Sequence, residues 1–225
     1  MGGAGTSAAA VLLLLSVVFL ADANHLFGFD WRSQGMGNAR GLRAGELWRA
    51  LTALTLHDGL LHLAGNLLSL GFFGFLVALG HGAGLSWLAI LFAGALGNLA
   101  NAWIQDPSHL SLGASTAVFA SIGILGGSEW RRRFLLRQRR ILVWMPIVVA
   151  VWFLGLFGGP NEASELVLGR VDVFAHVLGF VAGIAVGCAL PFLLEHGARA
   201  SGPQRISACF ALASLVAAWV LALAA

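Results

Sequence analysis

The sequence predicts an all-α protein, a polytopic bundle of membrane helices that forms a single domain over residues 1–225. Hydrophobic residues make up 59% of the chain and charged residues only 10%, whereas about 25% of the residues in a soluble domain are charged. The mean hydropathy of +0.86 is incompatible with a surface that faces water on all sides. The apolar residues are also gathered into runs of about 20 residues, the length that a helix needs to cross a bilayer.

Seven apolar segments follow one another along the chain, and each predicts a membrane-spanning helix. They cover about residues 7–23, 58–79, 85–104, 113–129, 141–158, 172–194 and 205–224. The first segment has an alternative interpretation as a cleaved signal peptide, because Ala21-Asp22-Ala23 resembles a small-residue cleavage site. No Lys or Arg precedes its apolar run, so we favour a retained helix.

The placement of the 13 arginines predicts the orientation of the bundle. Six of them lie between the fourth and fifth segments and two between the sixth and seventh, against five in the connections on the opposite side. The positive-inside rule therefore places the Arg131–Arg140 block in the cytoplasm and Ala225 outside. We expect a multi-pass protein of the cell membrane, in a bacterial inner membrane. Since the arginines flank apolar blocks, the expected partner is the lipid bilayer and not nucleic acid.

The two cysteines, Cys188 and Cys209, both lie inside apolar segments. Neither has a neighbour of the kind that binds metals, so the sequence predicts no disulfide framework, no metal site and no cofactor.

Four polar side chains inside apolar segments are candidates for chemistry, because polar groups are costly within a membrane. His62 and Asn66 lie one helical turn apart near the start of the second segment. Ser115 opens the fourth segment, and His176 lies in the first turns of the sixth. The second, fourth and sixth segments all enter from the same side, so these residues share one shallow depth. A serine, two histidines and an asparagine there predict a nucleophile, a base and oxyanion donors.

The sixth segment also carries a stripe of small residues, Gly179, Gly183 and Gly187, at four-residue spacing. Such stripes let two membrane helices approach closely, as a hydrogen bond between Ser115 and His176 requires. Phe119, one turn beyond Ser115, could pack against the imidazole. Each feature has a plainer interpretation: a membrane serine bonded to its own backbone, a structural histidine, or glycines that serve packing alone. The conjunction of all of them at one depth favours a catalytic site.

These residues resemble the motifs of the rhomboid family of intramembrane serine proteases, over about residues 45–190. Four motifs stand in the family's order and spacing: Glu46-Leu47-Trp48-Arg49, His57 with His62-Leu63-Ala64-Gly65-Asn66, Gly113-Ala114-Ser115, and Ala175-His176 with Gly179 and Gly183. The resemblance implies a six-helix core over about residues 7–194. The segment at about 205–224 would then be an additional C-terminal seventh helix.

The resemblance also implies a role for each candidate. Ser115 would be the nucleophile and His176 its general base, and no third acid is implied. His62, Asn66 and the backbone N–H of Ser115 would form the oxyanion hole. Asp172, one turn before His176, is interpreted as a helix-start or loop residue. The implied activity is an endopeptidase that cleaves the transmembrane segments of membrane proteins.

The sequence departs from the family pattern at Thr116, where glycine usually follows the serine. The larger side chain predicts either a crowded site or a changed substrate preference. One alternative function is therefore a non-catalytic rhomboid-like protein that binds membrane clients. A transporter is a weaker alternative, because the segments lack charged residues near the bilayer midplane.

Overall fold

The computed structural model describes residues 2–157, 172–193 and 201–225. The helices in these ranges are α1 (Gly2–Ala23), α2 (Trp31–Gly35), α3 (Ala39–Arg43), α4 (Arg49–Thr52), α5 (Leu60–His81), α6 (Ala83–Ile104), α7 (Ser115–Leu135), α8 (Arg140–Phe157), α9 (Val173–Leu193) and α10 (Ser201–Ala224). Each of the seven predicted segments contains one long helix, so the predicted all-α membrane bundle is confirmed. Residues 158 and 194, where two segments were predicted to end, lie outside the described residues, as do Arg170 and Arg199.

Five of the long helices, α1, α5, α6, α9 and α10, are long and apolar enough to cross a membrane. Helix α7 differs because it continues past its apolar part through Arg131, Arg132 and Arg133. It lies in the middle of the bundle, where almost every residue from 116 to 128 is buried, so other helices surround it in place of lipid. Seven crossings therefore remain a prediction. Helix α7 is too polar at its end, and the apolar part of α8 within the described side chains, Arg140–Phe153, is shorter than the 18 residues required.

Helices α7 and α9 make the most extensive contact between any two of the described helices. A Cβ added to Gly183 of α9 would overlap the carbonyl oxygen of Ala120 on α7, and Gly179 and Gly187 meet α7 in the same way. Glycine is thus required for the two backbones to come this near. The close contact that the glycine stripe predicted between these segments is confirmed.

The long connection between α1 and α5 is folded into three short α-helices, two 3₁₀ helices (Leu26–Gly28 and Ala53–Thr55) and a two-residue strand. Strand β1 (Gly37–Asn38) pairs in antiparallel fashion with β2 (Leu110–Ser111), which lies just before α7. Arg49 fixes this connection from within. It forms an ion pair with Glu46, and its guanidinium donates to the carbonyl oxygens of Ser33, Gln34 and Met36.

Helix α10, the additional seventh helix, is joined to the bundle at both ends. At one end the amide of Gln204 donates to the carbonyl oxygen of His81 (3.0 Å). At the other end the indole N–H of Trp219 donates to the Thr55 hydroxyl (3.2 Å), and its ring packs on that of Trp31. These contacts make α10 a brace that runs from the α5–α6 turn to the long first connection.

Candidate active site

Ser115 is the first residue of α7 and follows a turn that only glycine adopts easily. Gly113 has a φ of +125°, and its N–H donates to the carbonyl oxygen of Ala53 (2.9 Å). A Cβ at this position would lie 2.8 Å from Nε2 of His62 and 3.8 Å from the hydroxyl oxygen of Ser115. The His62 imidazole and the Ser115 hydroxyl therefore both lie next to the space that the missing Gly113 side chain leaves open.

His176 lies in the first turn of α9 and is buried. Its ring packs on Phe119 of α7, with ring centroids 4.5 Å apart and an angle of 32° between the planes. The predicted contact between Phe119 and the imidazole is confirmed. Because Gly179 lies against Thr116 of α7, the starts of α7 and α9 are side by side. The structure thus places Ser115 and His176 at the same end of the bundle, on the two described helices that contact each other most extensively.

His62 and Asn66 lie one turn apart near the start of α5, at this same end. The backbone N–H of Asp58 faces Nδ1 of His62 at 3.5 Å. With Nδ1 as the acceptor, the neutral ring carries its proton on Nε2, one of the two ring atoms that lie 2.8 Å from the Cβ position of Gly113. The buried amide of Asn66 donates one hydrogen bond to the carbonyl oxygen of His62 (3.0 Å). Asn66 consequently keeps one amide proton for another acceptor, while His62 offers its single Nε2–H.

His57 supports the turn from behind. Its side chain is fully buried, and its Nε2 accepts a hydrogen bond from the backbone N–H of Ala114 (3.4 Å). Burial, together with the nearby imidazole of His62, lowers the pKa of His57 to about 4, so its ring is neutral at physiological pH. Arg32 donates to the carbonyl oxygen of His57 and pairs with Asp58. The sequence marked His57 only as part of a motif and gave no signal for this contact with the residue before Ser115.

Asp172 begins α9, and its Oδ1 accepts the backbone N–H of Ala175 (3.0 Å). The interpretation of Asp172 as a helix-start residue is confirmed. Its other oxygen, Oδ2, accepts from Asn101 of α6 (2.6 Å) and from His109 (2.7 Å), which precedes β2. Sequence reasoning missed both partners. The only available signal was a polar residue near the end of the third apolar segment.

Thr116 is buried, and its methyl group lies where Gly97 of α6 and Gly179 of α9 leave room for it. The extra bulk after the serine therefore fills an interface between three helices. A small cavity of about 10 Å³, roughly the size of one water molecule, lies beside Ser115. Its polar lining includes Asn98, Ser111 and Asp172. Within the described ranges, no three His, Cys, Asp or Glu side chains come together as a metal site.

The chain is similar in sequence to several known proteins. The protein "RHOMBOID-like protein 4" of Arabidopsis thaliana is 33% identical over 167 residues, which cover 72% of this chain and 39% of that protein. "Rhomboid protease GluP" of Bacillus subtilis is 32% identical over 173 residues, covering 76% of this chain and 31% of that protein. "Rhomboid-like protease 3" of Toxoplasma gondii is 32% identical over 155 residues, covering 64% and 51%. The chain thus spans about half or less of the length of these relatives.

A comparison with a model of a whole protein family agrees with these pairwise similarities. The Rhomboid domain matches residues 44–191, which is more than half of the chain. That range encloses Ser115, His176, His62 and Asn66, together with the α7–α9 contact that brings the first two to one end of the bundle. This multi-pass membrane protein therefore belongs to the rhomboid family.

Proposed function

We propose that this protein is an intramembrane serine endopeptidase that cleaves transmembrane segments of membrane proteins with a Ser115–His176 dyad. The observation that carries the proposal is the arrangement around Gly113 and Phe119. His62 and Ser115 both border the space beside Gly113, and His176 packs on the phenylalanine one turn beyond Ser115. Two of the relatives carry the word protease in their names, which supports the same activity.

Each residue has a distinct task in the proposed reaction. The Ser115 hydroxyl attacks a peptide carbonyl carbon while His176 accepts its proton. The carbonyl oxygen becomes an oxyanion, which accepts hydrogen bonds from Nε2–H of His62, from the Asn66 amide and from the Ser115 backbone N–H. His176 then donates its proton to the leaving amine, which yields an acyl-enzyme. Water, with His176 again as base, hydrolyses the ester and releases the second product.

Ser115 is well placed for this chemistry because it begins a helix. The unpaired N–H groups and the positive end of the dipole at the start of α7 stabilise a negative charge that develops there. The small volume of the cavity beside Ser115 favours a small side chain next to the carbonyl that is attacked. Small side chains at that position are also what the family resemblance implies.

The substrate in this proposal is a membrane helix that reaches the site from the bilayer and unwinds locally. A helix hides its carbonyls in hydrogen bonds, so Gly or Pro near the cut lowers the cost of exposing one. Helix α8 offers lipid-exposed aromatic side chains on the proposed entry side, including Trp144 and Trp152. The loop at about residues 158–170, which we also expect to move on entry, lies outside the described residues.

Labelling with a fluorophosphonate tests the proposed nucleophile directly. We expect the purified wild-type protein to be labelled and Ser115→Ala and His176→Ala to lose the label. Ser121→Ala is the matched control, because Ser121 lies on the same helix and its hydroxyl only donates to the carbonyl oxygen of Ala117 (2.8 Å). Labelling of Ser115→Ala at the wild-type level would rule out the dyad.

The alternative is a non-catalytic rhomboid-like protein that binds membrane clients. It is favoured by one observation, the replacement of the usual glycine after the serine by Thr116. Under this alternative the wild-type protein would remain unlabelled and would capture a membrane client intact. Under the protease proposal, clients persist on Ser115→Ala and are cleaved by the wild-type protein.

A further inference from the structure

The carboxylate of Asp172 joins three separate parts of the protein next to the candidate site. Through Oδ1 it accepts the backbone N–H of Ala175 and so begins α9. Through Oδ2 it accepts from Nδ2 of Asn101 at 2.6 Å and from Nε2 of His109 at 2.7 Å. Asn101 belongs to α6, and His109 lies on the segment that leads through β2 to Ser115. One side chain therefore connects the helix of His176, the neighbouring helix and the segment before the nucleophile.

We propose that Asp172 is a positioning residue, which holds the first turn of α9, and with it His176, in register with Ser115. We call the three side chains Asp172, Asn101 and His109 the carboxylate clasp. This proposal rests on the protease function proposed above and assigns to the same site a residue outside the dyad and the oxyanion hole. Asp172 acts through His176 and does not itself touch the reacting atoms.

The contacts exceed what a helix cap requires. A cap needs one oxygen, whereas Oδ2 of Asp172 accepts two further hydrogen bonds, both charge-assisted and therefore strong. Asn101 is buried, with 1% of its surface exposed, and its amide can face a carboxylate only through its N–H. Both partners present donors, so the middle position must be an acceptor with two lone pairs available. Aspartate has two acceptor oxygens and can serve the cap and both donors at once, whereas asparagine has only one acceptor oxygen and cannot serve both.

The clasp is close enough to the dyad that a displacement of Asp172 would also displace His176 relative to Ser115. His176 follows Asp172 by one helical turn, and their backbones are joined by the hydrogen bond from His176 N–H to the Asp172 carbonyl oxygen (3.2 Å). His109 directly precedes β2, which β1 holds in place. A displacement of about 1 Å between catalytic groups can cost on the order of 10²-fold in rate. Loss of the clasp should therefore lower kcat more than it changes KM.

The Asp172→Asn variant separates the clasp from the cap. Asparagine is as good an N-cap as aspartate, so α9 should still begin at the same residue. With its single oxygen used by the cap, the asparagine would turn its NH2 group toward two donors, and the clasp would open. We expect kcat for a reconstituted membrane client to fall about tenfold or more, with KM changed less than about twofold. Asn101→Asp should have a similar effect, because two carboxylates would then face each other.

Exchanging Asp172 and Asn101 with each other provides the decisive measurement. In Asp172→Asn combined with Asn101→Asp, the amide at position 172 can donate to the carboxylate at position 101. We expect this double variant to regain most of the lost kcat, a rescue that independent structural damage would not produce. A second pair tests the other arm. His109→Gln keeps a donor and should retain activity, whereas His109→Leu should behave like Asp172→Asn.

Asp106→Asn is the matched control. Asp106 lies with His109 in the connection between α6 and β2, but it is exposed, and its side chain accepts hydrogen bonds from Ser108 within its own turn. Wild-type kcat in Asp172→Asn would overturn the proposal. The proposal would also be overturned if the double variant Asp172→Asn with Asn101→Asp had no higher kcat than either single variant and His109→Gln had the same kcat as His109→Leu. If the wild-type protein neither cleaves nor takes the fluorophosphonate label, the protease function fails and this proposal falls with it. An active wild type with an equally active Asp172→Asn defeats the clasp alone.

Discussion

The two side chains proposed as oxyanion donors, His62 and Asn66, each have one proton available but differ in how the donor group is held. Nε2 of His62 lies beside the Gly113 turn, and the Asp58 N–H faces the other ring nitrogen. Asn66 already spends one amide proton on the carbonyl oxygen of His62. That bond holds the Asn66 side chain against its own helix. The geometry therefore ranks His62 as the stronger donor to the oxyanion.

Replacing the two donors separately tests that ranking. His62→Ala should lower kcat by roughly 10²–10³-fold, the range expected for one oxyanion donor, and Asn66→Ala should lower it less. Cleavage of a reconstituted client by each variant gives the comparison, with Ser121→Ala as a control on the neighbouring helix. A larger loss of kcat in Asn66→Ala than in His62→Ala would reverse the ranking.

A second prediction at the residue scale concerns pH and His57. Folding lowers the pKa of this ring to about 4, whereas an unfolded histidine has a pKa near 6.5. Between these values the unfolded state binds more protons, so the free energy of unfolding falls as the pH is lowered from about 6.5 to about 4. The loss is on the order of 3 kcal/mol at most. Protonation also removes the acceptor for the Ala114 N–H, next to Ser115.

Thermal unfolding in detergent at about pH 7.5 and about pH 5 would measure this effect. We expect His57→Gln to flatten the decrease in stability between the two pH values. His25→Gln is the control, since His25 is exposed and lies away from the site. An unchanged pH dependence in His57→Gln would show that another group is responsible.

At the scale of elements, the α7–α9 contact dominates the architecture. A methyl group on Gly183 would overlap the carbonyl oxygen of Ala120, and backbone cannot give way as a flexible side chain can. Gly183→Ala should therefore separate the two helices and lower the free energy of unfolding by about 1–3 kcal/mol. The unfolding temperature and the rate of cleavage should both fall. Gly80→Ala on α5 is the matched control because nothing lies within 4 Å of its Cβ position. Equal stability of the two variants would contradict the tight contact.

The order of the long helices could be predicted because each membrane helix corresponds to one continuous run of apolar residues in the sequence. The third predicted segment, 85–104, differs from α6 by two residues at its start. The fourth was predicted to end at residue 129, whereas α7 continues to Leu135. Helix formation does not require apolar residues, and Glu129 pairs with Arg132 and Arg133 one turn later.

The placement of Ser115, His176, His62 and Asn66 at one end of the bundle could be predicted because same-polarity helices bring their starts to the same side. The carboxylate clasp could not. Asp172 is separated by 71 residues from Asn101 and by 63 from His109, and no local pattern records such a contact. The pairing of β1 with β2 was also hidden, because a two-residue ladder has no periodicity to detect.

At the scale of the whole molecule, the two ends of the bundle differ in chemistry. The candidate site, the long first connection and the Trp219 end of α10 lie at one end. The turn between α7 and α8, with its cluster of arginines, lies at the other. If the arginine end is cytoplasmic, as the positive-inside rule predicts, the site opens near the external face of the membrane. A client helix should then be cut at or just inside its external end.

The position of the cut in a membrane client distinguishes proteolysis at the proposed site from every other outcome. A single-span client with a glycine pair in its external turn is reconstituted with the wild-type protein, and the products are mapped by mass spectrometry. For a Ser115–His176 protease with its site near the external face, we expect one cut near the external end of the client helix, after a small residue. We also expect slower cleavage when leucines replace the glycine pair, and no cleavage by Ser115→Ala. A cut at the centre of the helix, faster cleavage of the leucine client, or equal cleavage by Ser115→Ala would contradict this expectation.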